Sequence, residues 1–415
     1  MMRRAWIAAV AVLATGFTQS GVGTVFGNAI PMGHEWVTRQ AALELLGGDP
    51  VMQPDPADPR TAWTTGKAKQ PSLAGAEAEV RRITSKPISD KRYQSAYAAV
   101  YAAIVGERWV DIAGFNVTKS QAAKYDCFDA VAQEAVDVQY DHFMRRYDDV
   151  DGAGGVAAAE RSRDRFVQYF VAAATAPAGD MAAWDGGGYS ARVTVDRNYF
   201  LFGRAAHLFE DSFSPEHTVR LPADNFERVH QVKSYLCAAG SEQHSHAQSA
   251  IFDYSSGDVI WKPGTRFAVG WKGYRASNLK PIALVAIEAT KDLWAAFVRT
   301  MAAPADKRAT VARTEATRVA DAWLAFDRRE MTAWYDDPAH RDATFVSSVP
   351  ACMKALGHAD QQKRALEIEA QRRICLYNIL PATTSDPIDP ALKVPFDWKW
   401  RALTWKTPPA DWQPL

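Results

Sequence analysis

The sequence predicts an all-α protein with one small β-hairpin and a C-terminal extension. Three observations lead there. Apolar residues recur at three- and four-residue spacing through most of the chain, the period of an amphipathic helix. Strand-like alternation is confined to one stretch broken by Gly and Pro. Near residue 330 the texture shifts to a tail rich in Pro, Asp and Trp.

The elements follow in chain order. Arg3 and Arg4 precede the apolar run AWIAAVAVLA, long enough for the core of a signal peptide and too short to span a bilayer. Residues 1–20 therefore read as a signal peptide, with small residues for cleavage at Ala14 and Ser20, and the protein as secreted or periplasmic. Helical spacing marks residues 35–46, 74–83, 93–105, 121–147, 154–175, 197–213, 281–303 and 308–326. Residues 47–63 form a proline-rich loop, and residues 250–274 alternate as a hairpin would. The main helical domain spans 21–330 and the extension 331–415. Trp398, Trp400, Trp405 and Trp412 in the extension suit either packing onto the main domain or a membrane interface.

Composition weighs against some functions. The chain of 415 residues balances 48 basic against 48 acidic side chains, so no net field draws it to nucleic acid. The apolar stretch PIALVAIEA is too short to cross a membrane. Four cysteines, Cys127, Cys237, Cys352 and Cys375, suit two disulfides in an oxidising compartment, with three pairings open. They lack the C-x-x-C spacing of a zinc–thiolate site.

The stretch HLFEDSFSPEH, from His207 to His217, carries the chemistry. His207 and Asp211 stand four apart and project from one helix face, so both can grip one ion. Pro215 stops the helix and lets His217 swing back to the same centre. Imidazole and carboxylate together suit zinc. Glu210 reads as part of a solvated helix face, the alternative being an acid that orients the imidazoles. Further histidines add to the set: His34 at a helix start, His142 in YDHFMRRY, His230 in NFERVHQVKSY, and His244 with His246 in HSH. Asp111 ends an apolar helix, where a carboxylate is unfavourable without a partner, and a metal would be one.

These residues resemble the bacterial zinc-dependent phospholipase C family, relatives of the fungal zinc-dependent single-strand nucleases. The family motif H-x3-D-x5-H, with proline two residues before the last histidine, matches HLFEDSFSPEH. The early H-x-W with a following alanine matches His34, Trp36 and Ala41. The resemblance spans roughly residues 27–300. It implies an all-helical domain holding three Zn2+ ions. Asp111, His142, His207 and Asp211 would hold one zinc. His34, Asp211 and the mature N-terminus would hold a second, with Asp211 bridging, and His217 and His230 the third. Asp111 would also be the catalytic general base. Two departures stand out. The family places an acid four residues after the equivalent of His230; here Ser234 stands there, with Glu227, Glu242, His244 and His246 nearby. Cleavage after Ser20 would begin the mature chain with Gly21, where the family has tryptophan.

The expected function is a secreted zinc-dependent phospholipase C acting on phospholipid at a membrane or micelle surface. It would yield diacylglycerol and a phosphorylated headgroup. Trp109 and Tyr140, beside presumed ligands, are candidates to face a choline group. The alternatives are a single-strand nuclease releasing 5′-mononucleotides and an inactive relative that binds lipid or metal. The balanced charge and the tryptophan-rich tail weigh against the nuclease.

Overall fold

The computed structural model describes residues 33–47, 71–88, 97–112, 140–145, 149, 151–184, 192–214, 217–233 and 281–334. The signal-peptide stretch, the proline-rich loop beyond Gly47, the hairpin over 250–274, all four cysteines, Ser234, His244, His246 and the tail tryptophans lie outside them.

The described residues are mostly helical. Helix α1 runs Gly33–Leu46, α2 Glu77–Thr84, α3 Ala98–Ile112 and α4 Asp151–Thr175. Strands β1 (Asp180–Trp184) and β2 (Arg192–Asp196) pair antiparallel and lead into α5, Arg197–Asp211. A second antiparallel ribbon joins β3 (Thr218–Val219) to β4 (Gln231–Val232). Helices α6 (Pro281–Ala302), α7 (Arg308–Trp323) and α8 (Arg328–Trp334) follow.

Helix α5 is the axis of the core, with every residue from Asn198 to Asp211 buried. It begins at a firm cap: the Asp196 carboxylate accepts from the backbone N–H groups of Asn198 and Tyr199. Helices α3 and α4 pack along it, and α6 closes over α1, α5 and α7. Phe202 of α5 stacks on Phe297 at 4.3 Å and meets Trp294 edge-on at 4.7 Å, both from α6. Asp292 of α6 takes a two-pronged contact from Arg318 of α7 at 2.8 and 2.9 Å and a third hydrogen bond from Trp323.

Two glycines set the distance between α3 and α5. A Cβ on Gly106 would stand 1.9 Å from the Phe200 carbonyl oxygen, and one on Gly203 would stand 1.9 Å from that of Ala103. The two backbones therefore touch, one turn before His207.

The helical periods locate six of the eight expected helices closely. The seventh, expected over 93–105, begins later and runs further, as α3. The eighth, expected over 121–147, differs where it is described. Residues 140–142 make a single 3-10 turn, Phe143 takes a left-handed φ of 51°, and Arg145 joins β4 instead. The reason is tertiary. Arg145 is buried and donates to the Val232 and Asp149 carbonyls and to Gln231 Oε1, contacts a continuing helix would forfeit. Neither observed ribbon was expected: β3 and β4 have two residues each and leave no legible alternation, whereas RVTVD in β2 does alternate and was missed.

Candidate metal centre

Four buried histidines converge on one buried aspartate. They come from the start of α1 (His34), the 3-10 turn (His142), the last turns of α5 (His207) and the loop before β3 (His217). His34 Nε2 lies 3.1 Å from Asp211 Oδ1, and His142 Nδ1 lies 3.0 Å from Asp211 Oδ2. His207 Nε2 lies 3.1 Å from Asp211 Oδ2 and 3.0 Å from His142 Nδ1. His217 Nε2 is 3.6 Å from Asp211 Oδ1, while its Nδ1 donates to the His142 carbonyl at 2.6 Å. The rings of His34 and His207 stack with centroids 4.1 Å apart.

Each contact has a local cause. His207 and Asp211 share a face because α5 repeats every 3.6 residues. The turn after α5 is then clamped by Arg220. This buried guanidinium donates to the carbonyls of Ser212, Phe226, Glu227 and Trp323 and to Ser212 Oγ, and its face covers Phe213 at 4.0 Å. Burial pushes Arg220 down to about 9, so it stays charged at neutral pH. Left-handed Phe143 re-aims the chain directly after His142.

Burial opposes ionisation of Asp211, but the charges of His217, His207 and His34 outweigh it and hold the carboxyl well below its usual range. Burial likewise opposes a charged His34, yet Asp211 and Glu210 lift its imidazole well above the ordinary value. Imidazole nitrogens and carboxylate oxygens gathered in a dry site are the donor set of zinc. His34, His207 and Asp211 each offer a ligand atom, all within 4.8 Å of one another. These residues fit a metal ion.

Glu210 corrects the reading of a solvated face. It is 1 % exposed, and its Oε2 accepts from His34 Nδ1 at 2.9 Å. Thr38 and Thr290 donate to its other oxygen at 3.0 and 3.3 Å. The carboxylate thus fixes the ring of His34 so that Nε2 faces Asp211. Nothing in the local spacing distinguishes Glu210 from an exposed residue, because all sides of α5 are covered. Glu107 of α3, also overlooked in the sequence, is fully buried. Burial first, and then the neighbouring Glu210, raises its carboxyl well above the usual range.

Two expected ligands remain, Asp111 and His230. The backbone of α3 carries Asp111 one turn beyond Glu107 on the same face, and the Asp111 side chain lies outside the described residues. His230, expected with His217 at a third ion, has its Nε2 2.8 Å from Asp224 Oδ2. Trp109 lies under the Arg204 guanidinium at 4.5 Å, and Tyr140 donates to Asp149 at 3.0 Å.

Over 419 aligned positions the chain is 48 % identical to Hemolysin-1 of Aeromonas salmonicida; the match covers 96 % of this chain and 73 % of that protein. No protein-family model matches the chain, and no solved structure matches it.

Proposed function

The chain belongs to the family of Hemolysin-1, and on that footing we propose that it is a secreted, zinc-dependent phospholipase C that attacks membrane phospholipid. The observation that carries the proposal is the convergence of His34, His142, His207 and His217 on Asp211 from four separate segments. A membrane substrate agrees with a relative named as a hemolysin. Among the described residues no helix is long and apolar enough to cross a membrane, so the protein would meet its lipid from the aqueous side.

Zinc in this centre supplies charge neutralisation for the phosphoryl oxygens and a water whose pKa falls to about 7. The protein's residues do the rest. Asp211, with His34 at one oxygen and His142 at the other, would be the carboxylate that holds the metal. The histidines hold and orient, and Glu210 keeps His34 turned inward. Asp111, one turn past Glu107, is assigned the role of base that takes the proton of the attacking water. The bond between phosphorus and the glycerol oxygen breaks, and diacylglycerol leaves with a proton.

A side-by-side assay tests this reading. Purified protein, with and without chelator, is given phosphatidylcholine micelles and single-stranded DNA. Chelator-sensitive release of diacylglycerol is the expected result. Faster cleavage of the DNA would make the protein a nuclease, and turnover of neither, with zinc bound, would make it an inactive relative.

A further inference from the structure

Glu107 is a fully buried carboxyl whose oxygens make no well-formed hydrogen bond among the described residues; the Thr38 hydroxyl close by could donate to it only by giving up its bond to Glu210. Its electrostatic neighbours are Glu210, His34 and Glu35, with Thr38 beside it, so it faces the α1–α5 side where the histidine cluster lies. Arg108, next in the chain, directs its Nε to Glu35 at 2.5 Å. An unpartnered carboxyl in a dry interior is costly, and a carboxylate there without a compensating charge costs far more. Glu210 adds to the cost, since two acids side by side repel once ionised. The fold nevertheless brings Glu107 here beside a tight crossing that leaves no room for a Cβ on Gly106. A bound divalent cation would resolve the arrangement by giving the carboxylate an opposite charge.

We propose that Glu107 is a further carboxylate of the metal centre, serving a divalent cation from the α3 side. This rests on the metal reading of the His34–His207–Asp211 cluster. It adds a residue that the motif H-x3-D-x5-H does not contain. Position 107 lies one turn before position 111 in the backbone of α3, the position expected to carry a ligand. The centre then draws one more negative charge from this chain than the sequence pattern supplies.

The test compares wild type with Glu107→Gln, which keeps the shape and removes the charge. Metal is stripped from both, zinc is titrated back by calorimetry, and the metal-free forms are melted. Glu107→Gln is expected to bind zinc about tenfold more weakly or worse, while its metal-free form melts at or above the wild-type temperature. A carboxyl that only fills the core predicts the opposite, equal zinc affinity in the two proteins, and that result overturns the proposal. If wild type itself takes up no zinc, the metal reading falls and this proposal with it. Should Glu107→Gln not fold, Glu107→Leu, apolar and of similar size, is read in the same way.

Discussion

At the scale of single residues, Asp211 decides the centre, because four imidazoles face its two oxygens. Asp211→Asn keeps the volume and loses the charge; we expect loss of bound zinc by elemental analysis and a fall in phospholipase rate of about a hundredfold or more. Glu210 acts through His34, so Glu210→Gln should weaken zinc binding by about tenfold to a hundredfold and leave zinc-saturated turnover much less affected. Protonation sets a third expectation. His34 must lose its proton to bind metal, and Asp211 and Glu210 hold that proton to a pH above the ordinary 6.5. Zinc affinity should therefore keep rising as pH climbs past 6.5, as equilibrium dialysis across that range would show. In the metal-free protein the sign reverses. The His34 ion pairs stabilise fully below the unfolded value and are lost as pH rises through the raised one.

At the scale of elements, the centre depends on how α5 meets α3 and on how the chain leaves α5. Gly203→Ala places a methyl against the Ala103 carbonyl and forces the helices apart. We expect a loss of about 3 kcal/mol or more, read as a lowered denaturation midpoint, with zinc affinity falling in parallel. Arg220 ties the end of α5, the loop before His230 and the end of α7 through four carbonyl groups and the Ser212 hydroxyl. No shorter or neutral side chain reaches all of them. Arg220→Ala leaves buried carbonyls unpaired and should cost about 3 kcal/mol, checked by chemical denaturation.

At the scale of the molecule, a metal held by these residues would join segments far apart in sequence, so zinc, if it is that metal, should stabilise the whole domain. At a free concentration of about a hundred times its dissociation constant it should add about 2.7 kcal/mol, and a chelator should reverse the shift in melting temperature. The sequence by itself determined the helices, because apolar residues recur at three- and four-residue spacing through α1, α4, α5, α6 and α7. It also determined His207, Asp211 and His217 as one unit, since one turn of helix followed by a chain reversal is a local geometry. His34 and His142 were legible as ligand types, but their meeting at Asp211 depends on α1 packing beside α5 and on Arg145 drawing residues 140–145 out of a helix. Glu210, Glu107 and the Asp224 partner of His230 were decided by tertiary structure alone. A carboxylate on a helix reads the same in sequence whether it faces water or a dry core, and only the neighbours packed around it make it an orienting group.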